Sequence, residues 1–265
     1  MKGLLAALLF LLLLAPAPGR SENGRPPILR EVGFDQRVGE RLPLELTFRN
    51  EHGQTVRLGD YFGAVPVLLV PAYYECPMLC TLVLNGVVGA LKALPFDVGK
   101  DFRVVTFSFN PAETSALAAA KKLAYLDRYG RPGGGDGWHF LVGDEPSIRA
   151  LTEAIGFRYA WDPEHRQYAH ASGVVVVTPD GRLARYFYGV EYPPRDLRLA
   201  LVEASEDRIG SIVDQVLLFC FHYDPATGRY SAIALRAVRI GGVITLLGLG
   251  AFIVGMLRRE RPRAV

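Results

Sequence analysis

The stretch Tyr73-Tyr74-Glu75-Cys76-Pro77-Met78-Leu79-Cys80 decides how the rest of the chain is read. It follows Val65-Pro66-Val67-Leu68-Leu69-Val70, an apolar, β-branched run with the character of a buried strand, and it opens a segment with helical apolar spacing from Leu82 to Leu94. Two thiols therefore fall at a strand-to-helix junction. Pro77 suits the first helical position, where its missing N–H would have had no intrahelical partner, which predicts Cys76 as N-cap and Cys80 one turn on. At i and i+4 the two sulfurs share a face. The free N–H groups and positive dipole end of such a helix favour thiolate over thiol. This predicts lowered cysteine pKa values and a pair that serves as metal ligands or as a disulfide couple. The plain alternative is two buried structural cysteines. Against it, these are two of only three cysteines in the chain, spaced for one face and flanking a proline.

Downstream, Phe102 to Phe109 is a mostly apolar strand suited to a sheet covered on both faces. Asn110-Pro111-Ala112-Glu113-Thr114-Ser115 ends it and caps a helix from Ala116 to Tyr129. Strand, helix, strand, helix is the rhythm of an α/β layer fold. The run Gly133-Gly134-Gly135-Asp136-Gly137 is expected to be a flexible surface loop. Trp138 to Val142 follows as a strand, and Glu145 to Ile155 as a helix closed by Gly156. Val174 to Val177 and Leu183 to Tyr188 flank Pro179-Asp180-Gly181, a hairpin signal, and Pro194 to Glu206 is the last helix of the domain. Before the cysteines, Leu42 to Phe48 and Thr55 to Leu58 make another hairpin about Asn50-Glu51-His52-Gly53.

Both ends carry membrane-type sequence. Met1-Lys2, the apolar run Leu4 to Leu14 and the small residues Ala15 to Gly19 form a signal-peptide pattern over 1–19, with an uncleaved anchor as the alternative. Residues 20–34 read as a linker. Ile240 to Leu257 is an uncharged run of about the length of one transmembrane helix, followed by the basic tail 258–265. Export signal and positive tail together place the region from about residue 20 to about residue 235 on the outer side of the membrane. Arg236 and Arg239 on the outer flank oppose this, and the export signal outweighs them. The net charge of +3 is small and partly in the tail, so nothing argues for nucleic acid. Three cysteines are too few for a disulfide scaffold, and an exported thiol pair must be kept reduced or metallated by other proteins.

Soft thiolates favour copper(I) or zinc, and two cysteines completed by one imidazole make a reasonable three-coordinate copper site. His170, in Tyr168-Ala169-His170, lies in a loop before the Val174 strand that could face the cysteine helix. His139 beside Trp138 reads as a core or edge residue, and His165 and His52 as solvated turn residues.

Taken together, Cys76-Pro77-Met78-Leu79-Cys80, Ser108-Phe109-Asn110-Pro111-Ala112-Glu113-Thr114, Tyr168-Ala169-His170 and Val177-Thr178-Pro179-Asp180-Gly181 resemble the Sco/SenC family, thioredoxin-fold copper proteins of cytochrome c oxidase assembly. The resemblance implies a thioredoxin-like α/β fold, a central sheet flanked by helices, over 35–206, to which the uncharged run adds a C-terminal transmembrane helix at 240–257. It also implies Cys76, Cys80 and His170 as ligands of copper, as Cu+ or Cu2+. The implied partners are the copper-bearing subunit of cytochrome c oxidase and other periplasmic copper carriers or thiol reductants. Two departures stand out. Asn110 occupies a position where the family often has aspartate, and the span lies at the C-terminus where the family more usually anchors by the N-terminus.

Two functions follow. One is a metallochaperone delivering copper to the dinuclear centre of the oxidase by ligand exchange, from a site open to solvent. The other is a thiol–disulfide oxidoreductase using Cys76 and Cys80 as a redox pair, for which no histidine is needed. A peroxiredoxin-like peroxidase would have threonine or serine three residues before its reactive cysteine, where this chain has Tyr73. In the juxtamembrane stretch 207–239, Cys220 and His222 alternate with aromatics in Phe219-Cys220-Phe221-His222-Tyr223. They share a face if extended and make a tentative second metal pair, the alternative being an apolar interface segment.

Overall fold

The computed structural model describes residues 28, 31–76, 79–206, 223–224, 229–230, 242, 245–253 and 255–256. In chain order the strands and helices are β1 (Gly33–Phe34), β2 (Thr47–Arg49), β3 (Thr55–Arg57), β4 (Val67–Ala72), α1 (Leu79–Ala93), β5 (Arg103–Ser108), α2 (Ser115–Tyr129) and a single helical turn, α3 (Gly134–Gly137). There follow β6 (Trp138–Leu141), α4 (Glu145–Ala154), β7 (Phe157–Asp162), β8 (Gln167–His170), β9 (Gly173–Val177), β10 (Leu183–Tyr188) and α5 (Pro194–Ser205). A two-residue pair, β11 (Tyr223–Asp224) with β12 (Arg229–Tyr230), closes the described order of strands.

A five-stranded sheet, ordered β10-β9-β4-β5-β6, forms the centre. The strands β4, β5 and β6 run parallel, while β9 is antiparallel to β4 and pairs with β10 around Pro179-Asp180-Gly181. Every residue of β4 and of β9 is buried, as a strand covered by helices on both faces requires. This is an α/β fold of the thioredoxin-like kind. The early hairpin forms as expected, with β2 and β3 paired from Thr47–Arg57 to Arg49–Thr55. Thr114 caps α2, its side chain accepting the N–H of Leu117, and Asp144 caps α4 by accepting that of Ser147.

The structure departs from the sequence reading in two places. The glycine run is not a flexible surface loop: residues 134–137 form α3, and Gly134 and Gly137 are buried. A Cβ at Gly137 would stand 2.2 Å from the backbone of Gly99, so these glycines serve close packing. Second, β7 and β8 make an antiparallel hairpin from Tyr159–His170 to Asp162–Gln167, where a loop had been expected, and β1 pairs with β7 to give a separate three-stranded sheet. Among the described residues no helix is long and apolar enough to cross a membrane, and part of the run 240–257 lies outside them. Within 240–257, residues 245–253 are helical, with Leu246, Leu247, Leu249 and Phe252 exposed. The signal-peptide reading of 1–19 and the basic tail 258–265 lie outside the described residues.

Candidate metal centre

The parallel strands β4 and β5 end side by side, with Ala72 in register with Ser108, and the chain leaves β4 through Tyr73-Tyr74-Glu75-Cys76. Pro77 and Met78, on which the N-capping expectation for Cys76 depends, lie outside the described residues; α1 is described from Leu79. Cys76 is held by its own N–H, which donates to the Tyr73 carbonyl at 3.2 Å. The Cys76 sulfur accepts the N–H of Cys80 at 3.5 Å, and the Cys80 sulfur accepts the N–H of Tyr73 at 3.2 Å. Strand end and first helical turn thus grip the two sulfurs reciprocally.

His170 arrives from the end of β8. Its Nε2 lies 3.2 Å from Cys80 Sγ, and its Nδ1 lies 2.8 Å from the Ala171 carbonyl. A carbonyl can only accept, which assigns the hydrogen to Nδ1 and turns the Nε2 lone pair toward the sulfurs. The rings of Phe109, with its centroid 5.1 Å from the imidazole, and Phe157 wall the histidine on its apolar side. The ligand atoms of Cys76, Cys80 and His170 all lie within 4.8 Å of one another, a convergence seen for no other three such groups among the described residues. Two soft sulfurs and a neutral imidazole fit a thiophilic metal such as copper(I) or zinc.

Two expectations about this site change. Burial pushes the Cys80 thiol far above the usual thiol range, and its hydrogen bond and charge interaction with Cys76 push the same way, so the helix start does not make it a thiolate. Nor is the pair open to solvent: Cys76 and Cys80 are buried, and half-buried His170 is the most accessible of the three.

The remaining histidines lie elsewhere. His165 is exposed in the β7–β8 turn and pairs with Asp162 at 2.8 Å. His52 is exposed in the β2–β3 turn. His139, in β6, packs against the Tyr61 ring at a tilt and stands 3.7 Å from the Glu51 carboxylate, which also takes the Lys122 ammonium and the Phe140 N–H. Burial alone would raise the Glu51 carboxyl, but these hydrogen bonds, with one from its own backbone, hold it well below the usual carboxylate range. That cluster is an ionic anchor within the fold. Cys220 and His222 lie outside the described residues.

With this geometry in place, the comparisons with known proteins fall on the same chain segment. Residues 35–204 match the SCO1/SenC family model. The SCO1 protein homolog of Bacillus subtilis is 30% identical over 200 residues, which cover 74% of this chain and 91% of the relative. The chain belongs to the SCO1/SenC family. Among solved structures, one described as an electron transfer protein from Aquifex aeolicus VF5 superposes with a TM-score of 0.57 at 27% identity, covering 67% of this chain and 98% of its own. Arabidopsis thaliana ScoI, solved with copper bound, shares the fold at a TM-score of 0.50 and 14% identity, over 64% of this chain and 99% of that one.

Sequence reasoning overlooked one residue of this SCO1/SenC site. Glu113 is buried, and its carboxylate accepts the N–H groups of Tyr74 (2.9 Å) and Glu75 (2.7 Å) and the hydroxyl of Ser108. Burial raises its pKa against the pull of those three bonds. A glutamate just ahead of the helix-capping Thr114 was a visible signal, but only the tertiary fold shows that it faces back toward the cysteine loop.

Proposed function

We propose that this chain is a copper metallochaperone of cytochrome c oxidase assembly, which holds copper through Cys76, Cys80 and His170 and passes it to the dinuclear copper centre of the oxidase. The observation that carries the reading is the convergence of two sulfurs and a lone-pair-directed Nε2 within 4.8 Å, in a SCO1/SenC chain. Copper is here the cargo. Cys80 is the deepest ligand and His170 the most accessible, so an incoming donor from the recipient displaces the imidazole first and the sulfurs afterwards. A second reading has an observation of its own. The same sulfurs, gripped by each other's neighbouring N–H groups, also suit closure to a disulfide, and hence reduction of the recipient's cysteines before metallation. We place the domain outside the cytoplasmic membrane, anchored through 240–257, on the strength of the export signal, the uncharged run and the basic tail. Cys220 and His222 extend the proposal as a transient second copper pair near that anchor.

The test is His170→Ala. Copper(I) affinity, followed by competition with a chromophoric chelator, should fall by more than the roughly 10–100-fold that loss of a second-sphere partner costs, while Cys76–Cys80 disulfide exchange stays nearly intact. Equal copper affinity in the variant would remove His170 from the ligand set. Equal copper affinity together with intact exchange would favour the reductase, which needs no histidine.

A further inference from the structure

We infer that Glu113 is the positioning residue of the cysteine pair, the group that sets where Cys76 stands relative to Cys80. The inference deepens the proposed function by taking Cys76 and Cys80 as the working pair. Beyond Ala72 the chain leaves the sheet, so the N–H groups of Tyr74 and Glu75 have lost their ladder partners and have not yet reached the helix. Both end on the two oxygens of one buried carboxylate, Tyr74 on Oε2 and Glu75 on Oε1. Glu113 belongs to the neighbouring strand's exit rather than to the cysteine loop, and Ser108, the last residue of β5, donates to Oε2. The loop is therefore referred to the end of β5, not only to its own strand.

The consequence is asymmetric. Cys80 is held by α1 and by the Tyr73 N–H whatever happens at Glu113. Cys76 follows directly on Glu75; its N–H turns back to the Tyr73 carbonyl within the same loop, and its carbonyl accepts the Thr81 hydroxyl of α1 at 3.4 Å. With Glu113 gone, the two N–H groups just ahead of Cys76 lose their acceptor, and the Cys76 end of the pair is the one loosened more. Charge and geometry separate by substitution. Glu113→Gln keeps the reach, but its amide NH2 must face one of the N–H donors. Glu113→Asp keeps the charge and loses the reach.

The experiment uses the full chain, metal-free, equilibrated with reduced and oxidised glutathione. The two thiols and one glutathione disulfide exchange to a Cys76–Cys80 disulfide and two reduced glutathiones, so one S–S bond breaks, one forms, and both protons end on glutathione sulfurs. Loosening Cys76 lowers the effective concentration of one sulfur at the other, so both variants should form the disulfide about tenfold less readily, a potential about 30 mV more oxidising. Copper(I) affinity should fall by tenfold or more in the same variants. Melting curves establish that they are folded at the assay temperature; should Glu113→Gln not fold, Ser108→Ala removes one support of the carboxylate and should shift the equilibrium the same way by less. Folded variants that stay within threefold of the parent, or that shift toward the disulfide, would overturn the inference. So would a normal Glu113→Asp beside an altered Glu113→Gln, since that leaves only charge. If the parent binds no copper(I), the copper proposal fails, and the glutathione equilibrium still decides Glu113.

Discussion

At Cys80 two local influences compete, and burial prevails over the N-terminal end of the helix. A helix start contributes at most one or two kcal/mol toward a thiolate, whereas removing the sulfur from water disfavours the anion by more. In the metal-free protein the sulfur therefore carries its proton, with the Nε2 lone pair of His170 at 3.2 Å to receive the S–H. Copper must displace that proton. Because the Cys80 pKa is raised, the thiol is protonated across the whole neutral range, and each unit rise in pH removes a tenfold share of the competition. Copper(I) affinity should accordingly tighten by at least about tenfold per pH unit between pH 6 and 8, as a chelator competition series at fixed copper would record. A flat profile would mean that the site is already a thiolate.

Among the elements, α1 packs into the core through Val83, Leu84, Val87 and Leu91 and also makes one close backbone approach. At Gly86, in the middle of this helix, a Cβ would lie 1.8 Å from the carbonyl oxygen of Val190, in the segment between β10 and α5. The helix can sit there only because position 86 has no side chain. Gly86→Ala removes the helix penalty of glycine, about 1 kcal/mol, yet must push backbone from backbone. We expect a net loss of about 1–3 kcal/mol of stability in urea unfolding, together with weaker copper binding, since the displaced helix carries Cys80. A stabilised variant would show that the helix relaxes freely. The β7–β8 hairpin has the matching role for the third ligand. It brings His170 in from a separate sheet and packs Tyr159 and Tyr168 against Phe109, so the histidine is fixed by an aromatic cluster and not by the central sheet.

For the whole molecule, the question is which side of the membrane the domain faces. An exported thiol pair meets an oxidising compartment, and the proposed recipient, the copper centre of a respiratory oxidase, must lie on the same side. If 240–257 spans and 258–265 is cytoplasmic, protease added to spheroplasts should digest the domain and spare a C-terminal tag. Protection of the domain would reverse the topology and remove the copper-centre role with it.

Much of this protein was legible before any coordinates. Buried strands announce themselves as unbroken β-branched runs, as in Val174 to Val177, and helix boundaries through local caps such as Thr114 and Asp144, because both depend on interactions a few residues apart. The cysteine spacing and the hairpin about Pro179-Asp180-Gly181 are local in the same sense. What the sequence could not supply depends on groups distant along the chain. The alternation Tyr159/Trp161 and Tyr168/His170 was there to be read as a hairpin, but the turn chemistry of Asp162 to Arg166 masked it. The glycine run looked like freedom, yet Gly133 and Gly137 pack closely against Val98 and Gly99. The protonation of Cys80 and the reach of Glu113 were decided only when strands β4 and β5, more than thirty residues apart, closed side by side and took the site out of water. Patterning determines which elements form, whereas depth of burial and the meeting of distant side chains belong to the tertiary structure alone.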